Sequence, residues 1–295
     1  MLRISAPAKL NLHLEILARE ESGYHQLETL FCALELADEL DLELTGAAGV
    51  ELHVEGADTG SPEDNLVHRA ARAFLEESGV GGGVKLTLRK RIPVGAGLGG
   101  GSSDAAATLL ALDRLHREPL GARRRLALGA RLGSDVAFFL CGSPLALAWG
   151  RGDRLLPLEP LPAADVLLVV PPGAVATAAA YGELAALRRE RNLPPTPRVL
   201  RLHRLASWED VASHATNDFE DVVLPRLPEL YQARDLLRGE GALLTLLTGS
   251  GSVYFGVFPD GSRLQRAAAA IEAALPNVRT IATRTAAPAA PPPFG

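Results

Sequence analysis

Cysteine, lysine and long apolar runs are all scarce in this chain of 295 residues. The two cysteines, Cys32 and Cys141, lie far apart and outside any CxxC or Cys/His spacing. That excludes a zinc ribbon and a disulfide scaffold, and fits a reducing compartment with both thiols buried as small apolar groups. Apolar runs such as residues 166–170 fall far short of the roughly 20 residues that a membrane helix needs. Met1-Leu2-Arg3-Ile4-Ser5-Ala6-Pro7 lacks the apolar core of a signal peptide, so a cytoplasmic protein is expected. Aromatic residues are only 5% of the chain, and excess positive charge is absent, with a formal net charge of -5. A broad basic face for nucleic acid is therefore not expected. Of 30 basic residues only Lys9, Lys85 and Lys90 are lysines, so the other 27 are arginines. In so arginine-rich a chain each lysine is a candidate for a special role, because arginine's planar fork cannot replace a compact ammonium.

What is present is globular. Hydrophobic residues are 47% and charged residues 22%, which excludes extended disorder and fibrous folds. The length suits two medium domains. Leu10, Leu12, Leu14 and Ile16 alternate with Asn11, His13 and Glu15, a half-buried strand with Lys9 and Asn11 on its polar face. Leu40, Leu42 and Leu44 alternate likewise, as do Val50, Leu52 and Val54, and Val84, Leu86 and Leu88. Lys85 on the polar face of the last reads as a surface charge. Asp64 precedes an amphipathic helix carrying Leu66, Val67, Ala70, Phe74 and Leu75. Ser102, Ser103 and Asp104 open an Ala/Leu-rich helix to about Leu115, and another reads over 123–132. Further strands are expected at 165–170, 243–247, 253–258 and 278–282, and helices at 177–191, 228–238 and 264–275. Pro194, Pro195 and Pro197 mark a loop, and the Ala/Pro-rich residues 285–295 a disordered tail. Strands and helices mix without steady βαβ alternation, which favours α+β.

Pro93-Val94-Gly95-Ala96-Gly97-Leu98-Gly99-Gly100-Gly101-Ser102-Ser103 follows a strand and opens a helix. Five glycines in seven residues let the backbone approach a ligand, and the helix start favours an anion such as phosphate. Gly95 to Gly100 matches GxGxxG, but the acidic second strand of a dinucleotide fold is missing. No lysine follows Gly101, which excludes a Walker loop. The protein-kinase set VAIK, HRD and DFG is absent.

The run Pro-x-Gly-x-Gly-Leu-Gly-Gly-Gly-Ser-Ser-Asp resembles the second motif of the GHMP small-molecule kinases. Pro7-Ala8-Lys9-Leu10-Asn11-Leu12 is similar to their first motif, and Thr248-Gly249-Ser250-Gly251-Ser252 to their third. Gly23-Tyr24-His25, Asp64-Asn65-Leu66, Lys90-Arg91-Ile92-Pro93, Leu132-Gly133-Ser134-Asp135-Val136 and Asn217-Asp218-Phe219-Glu220 resemble the branch acting on a cytidine-diphosphate-linked methylerythritol. The resemblance spans about residues 3 to 283. It implies a two-domain α+β fold: residues 1–154 like the second domain of ribosomal protein S5, and a ferredoxin-like domain at 155–284. The active site would lie in the cleft between them. It also implies ATP and Mg²⁺, a small-molecule partner, no nucleic acid or membrane, and a monomer or homodimer.

By the same resemblance Asp135 matches the catalytic base and Lys9 the lysine that polarises the accepting hydroxyl. Asn11 would orient the polyol. Tyr24, His25 and Tyr181, with Thr177, would bind the substrate, the aromatics stacking on its cytosine. Asn65, Leu66, Lys90 and Pro93 would border the nucleotide. Gly95, Gly97, Leu98, Gly99, Gly100, Gly101, Ser102 and Ser103 would hold its phosphates, closed over by Gly249, Ser250 and Gly251. No dedicated metal cage is implied. Blander roles stay open on the residues alone. Asp135 could cap the next helix, Lys9 could be a solvated strand charge, and Tyr181 and His25 could simply pack.

Three departures from the family pattern stand out. Ala137 replaces a usual proline, Ala176-Thr177-Ala178 replaces Pro-Thr-Pro, and Asp153 replaces a glutamate in Gly150-Arg151-Gly152-Asp153. None removes a group that phosphoryl transfer needs. A homoserine or mevalonate kinase would have no use for Tyr24-His25, and a non-catalytic ligand sensor would not need Lys9 and Asp135 together.

Overall fold

The computed structural model describes residues 1–19, 25–173, 175–191 and 205–287. Tyr24, the Pro194–Pro197 loop and positions 288–295 of the expected tail lie outside the described residues. The chain forms two compact units that interleave along the sequence. The first contains Met1–Lys9, Leu36–Val94 and Gly99–Ser143; the second contains Leu10–Glu35, Gly95–Leu98 and Pro144–Gly295.

The elements met first are β1 (Leu2–Arg19), β2 (His25–Thr45), β3 (Gly49–Glu55), α1 (Leu66–Ser78), β4 (Gly83–Arg89), α2 (Gly100–Leu115), α3 (Gly121–Leu132) and α4 (Val136–Leu140). In the first unit β4 runs parallel to β3 and antiparallel to the second half of β2. The expected alternation sorts the side chains. Leu40, Leu42, Val84, Leu86 and Leu88 turn inward against Phe74 of α1 and Leu109 and Leu112 of α2. α1 begins one residue later than its Asp64 signal, because Asn65 is the cap, its carboxamide oxygen accepting from Val67 N–H at 2.9 Å. Gly79 ends it in the left-handed region at φ 69°. α2 starts at Gly100 rather than at the serines, so the last glycines of the loop are already helical.

Chain order continues with β5 (Leu145–Gly150), β6 (Arg154–Pro157), β7 (Asp165–Val170), α5 (Thr177–Glu190), α6 (Trp208–His214), α7 (Glu220–Val223), α8 (Glu229–Gly239), β8 (Leu244–Leu247), β9 (Tyr254–Phe258), α9 (Gly261–Ala274) and β10 (Arg279–Arg284). In the second unit the first half of β2 pairs with β5, and β5 with β6. The other sheet has the antiparallel order β10-β7-β9-β8. Numbered along the chain that is fourth-first-third-second, with helices after the first and third strands, the ferredoxin-like pattern. Leu14 and Ile16 of β1 join its core with Leu167, Val169, Phe219, Leu237 and Phe258. Thr285, at the start of the expected tail, is buried and exchanges hydrogen bonds with Ala164. No helix among the described residues is long and apolar enough to cross a membrane.

Asp41, on the polar parity of β2, is gripped from two sides. Arg3 forks onto it at 2.7 and 2.9 Å, and Arg89 Nη1 reaches it at 2.7 Å. Arg3 and Arg89 hold this carboxyl well below the usual carboxylate range. A depressed folded-state value contributes stability above the unfolded carboxyl value and loses it as pH falls. Asp41→Asn is therefore expected to lower unfolding free energy by about 1 kcal/mol at pH 7. In urea titrations that difference should shrink below about pH 4; a pH-independent difference would contradict the ion-pair account.

Candidate active site

The first unit gathers one set of predicted residues. Lys9 is 3% exposed, and its Nζ lies 3.5 Å from Asp135 Oδ2. Burial lowers the Lys9 pKa and the adjacent Asp135 opposes that shift. Asp135 sits at the start of α4, yet its side chain makes no capping bond there. Its carboxylate faces the ammonium instead, so the capping alternative does not describe it. Gly99 explains why this corner must be bare. A Cβ there would stand 2.9 Å from Lys9 Cγ and 3.2 Å from Phe139 Cζ, at a φ of 71° that only glycine adopts easily. The lysine stem lies in the space a side chain would fill.

Gly99 also precedes α2, and no side chain caps that helix. Its first N–H groups keep the partial positive charge of a helix start. Ser103 Oγ is buried there without a hydrogen-bond partner. Leu66 Cδ1 lies 3.5 Å from where a Gly101 Cβ would be, so Asn65 and Leu66 flank the same helix start. The Asn65 side chain is itself engaged, capping α1 and donating to Thr59. Lys90 is engaged more deeply. Its ammonium is buried between Asp38 and Asp104, the latter at 2.7 Å. Burial pulls the Lys90 pKa down, but the two carboxylates outweigh it and the net shift is upward. Burial pushes Asp104 up; Lys90 opposes this and Asp38 adds to it. Pro93 follows directly on this stem.

The second unit brings the three glycine-motif segments together. Asn11 Oδ1 accepts from Gly249 N–H at 2.9 Å and lies 3.3 Å from Thr248 Oγ1; Asn11 Nδ2 donates to Thr29 at 2.7 Å. Asn11 N–H donates back to Thr248 Oγ1 at 3.1 Å. The Thr248 hydroxyl is also 3.3 Å from Gly97 O. A Cβ on Gly97, at φ 79°, would sit 2.2 Å from Thr248 O, so the two turns touch backbone to backbone. Thr177 Oγ1 and Ser250 Oγ are 2.9 Å apart, joining the start of α5 to the third motif. His25 stacks on Tyr181 with ring centroids 4.5 Å apart at 23°, and Tyr181 meets Phe219 edge-on at 4.9 Å. Tyr181 thus both packs and stacks.

Three supporting residues have no role that the sequence alone suggests. Asn217 donates to the carbonyls of Leu247 and Gly249, each at 2.8 Å, and so holds the third motif from below. Thr29 anchors Asn11 and donates to His13 O at 2.6 Å. Asp38 holds Lys90. Its only sequence signal is its parity, an acid standing in the even-numbered row Leu34, Leu36, Leu40, Leu42.

The chain matches the model described as GHMP kinases N terminal domain over residues 65–143, and GHMP kinases C terminal over 199–277. It is 41% identical over 269 residues to the 4-diphosphocytidyl-2-C-methyl-D-erythritol kinase of Syntrophus aciditrophicus, covering 90% of this chain and 93% of that one. The kinase of the same name from Deinococcus radiodurans is 40% identical over 279 residues, covering 92% and 89%. A crystal structure of 4-(cytidine 5'-diphospho)-2C-methyl-D-erythritol kinase superposes with TM-score 0.80 at 38% identity, over 97% of this chain and all of that one. Homoserine kinase from Cytophaga hutchinsonii, at 19% identity and TM-score 0.70 over 97% and 94%, shares the fold. By its sequence and by its fold, the chain belongs to the GHMP kinases, in the family of the 4-diphosphocytidyl-2-C-methyl-D-erythritol kinases.

Proposed function

We propose that this chain transfers the γ-phosphoryl group of ATP to the 2-hydroxyl of 4-diphosphocytidyl-2-C-methyl-D-erythritol, a step of the non-mevalonate route to isoprenoid precursors. A cytoplasmic location, where ATP is at hand, goes with this reading. The observation that carries it is the pair Lys9–Asp135, set against the glycine-lined start of α2. An alcohol is a weak nucleophile. Its attack on phosphorus needs a proton acceptor, a fixed line of approach and compensation of charge. Asp135 accepts the hydroxyl proton as the new O–P bond forms and the β–γ bridge breaks to release ADP. Lys9 donates to the same oxygen and offsets its developing charge. The phosphates lie along the glycine loop from Gly95 to Ser103, taken up by backbone N–H groups.

The orphan hydroxyl Ser103 Oγ suits Mg²⁺ arriving with ATP, since this ion needs few protein oxygens when phosphates and water complete its shell. When bound, it would neutralise charge on the transferring phosphoryl group. On the substrate side, His25 and Tyr181, with Tyr24, recognise the cytosine, and Thr177 extends that surface toward the third motif. Asn11 serves by fixing Gly249, its side-chain amide being shared between Gly249 and Thr29.

A coupled assay for ADP, with ATP, Mg²⁺ and the cytidyl substrate, tests this. Turnover of homoserine or mevalonate in its place would overturn the substrate assignment. Asp135→Asn is expected to cut kcat by about 10²–10⁴-fold with the melting temperature preserved; near-normal kcat would remove it from the role of base. Lys9→Met should abolish most activity without lowering thermal stability, because it replaces a buried ammonium with an apolar chain of similar length. A clear drop in melting temperature would instead make Lys9 a structural residue.

A further inference from the structure

We infer that Asp38 is a positioning residue for ATP, clamping both ends of the glycine loop through Lys90; this rests on the phosphoryl-transfer reading above.

Asp38 is fully buried on β2, one position before the ladder pair Glu39–Arg89. Its two oxygens do different work. Oδ1 accepts from the backbone N–H groups of Arg91 and of Ile92, the latter at 2.9 Å. Oδ2 pairs with the Lys90 ammonium. The same ammonium donates at 2.7 Å to Asp104, in the second turn of α2. Lys90 N–H donates in turn to Glu55 O at 2.9 Å, so the lysine backbone is tied to β3. Residues 90–92 are the stem that enters the glycine loop, and Gly100 to Asp104 the helix that leaves it. A Cβ on Gly100 would meet Lys90 Nζ at 3.2 Å and Ile92 Cγ2 at 3.1 Å, so the two stems touch directly. Asp38 therefore fixes the spacing at which the loop must bridge. A glycine-rich loop has high conformational freedom of its own. Its N–H groups can converge on phosphate only if its ends are held, and the ordering cost is then met before ATP arrives.

This arrangement gives the buried lysine a different task from a nucleotide edge. Its charge is neutralised inside the protein, and what ATP meets is the loop that the charge organises. Removal of either carboxylate leaves a neutral pair, so conservative variants do not strand an unpaired buried charge.

The test measures KM for both substrates, together with ADP affinity by calorimetry, in wild type, Asp38→Asn and Asp104→Asn. Asp38→Asn keeps an acceptor for the backbone N–H groups but loses the ammonium, and Asp104→Asn breaks the same link from the helix end. Each is expected to weaken ADP binding and raise KM for ATP by about tenfold, the change due to one lost charge-assisted hydrogen bond. KM for the cytidyl substrate should stay within about twofold. Asp38→Ala, which also frees the two backbone groups, should be weaker still. Unchanged ADP affinity, or a parallel rise in both KM values, would overturn the inference and leave Asp38 a core ion pair. Should Asp38→Asn fail to fold, Asp104→Asn decides by the same criteria. Calorimetry with ADP needs no acceptor, so a wrong substrate assignment would show as absent turnover in wild type while the ADP comparison still decides the clamp.

Discussion

Two backbone turns in the second unit are pressed together so closely that a Cβ on Gly97 or Gly249 would crowd the other turn. Gly97 faces Thr248 O, and Gly249 faces the Gly97 backbone at 3.1 Å. Asn11, from a strand more than 230 residues earlier, stitches the contact with a carboxamide bonded to Gly249 and Thr29. Asn217 holds the other side of the same turn. In the proposed function this corner presents backbone N–H groups to a polyphosphate, and its bareness suits that task. Every Cβ there would cost space, and every buried backbone carbonyl must find a donor. The polar network supplies those donors.

Charge is handled just as locally. A chain of net charge -5 that uses ATP cannot rely on a diffuse positive field. What the structure offers an anion instead is an uncapped helix start with its backbone amides. The lysines divide sharply. Lys85 is exposed on β4 between Glu43 and Glu51 of the neighbouring strands, a surface charge as its parity suggests. Lys9 and Lys90 are buried beside carboxylates. A compact ammonium and a planar guanidinium fork are not interchangeable beside a carboxylate, so these two sites differ from the exposed positions where this chain uses arginine.

The elements with period two, a continuous apolar run or a long apolar stripe, among them β4, β7, α1 and α9, were legible within a few residues. β2 was legible only in its second half. Its first half, from His25 to Cys32, mixes His25, Gln26, Glu28 and Thr29 with the short apolar run Leu30-Phe31-Cys32, so no period of two registers there, although residues 29–32 are buried. The short helices α6 and α7 carry too few turns for a periodicity to register. At the site, the glycine motifs and the types of residue around them were readable. The partners were not: no local pattern says that Asn11 directs its amide to Gly249, or that Lys90 faces inward to Asp38 and Asp104 rather than outward.

The amino-acid sequence by itself determined the family, the α+β class, the absence of side chains along the glycine turns, and which residue types were available for proton transfer. The class follows from pattern and composition and the family from the resemblance of short motifs, and all of these are carried by stretches of a few residues. Tertiary structure alone decided which charges are neutralised inside, that the Asp135 carboxylate faces Lys9 instead of capping α4, and that one buried acid on β2 reaches both stems of the glycine loop. Such pairings join residues from 14 positions apart, Lys90 and Asp104, to 126 apart, Lys9 and Asp135. Their energies depend on burial, which only the packed chain creates.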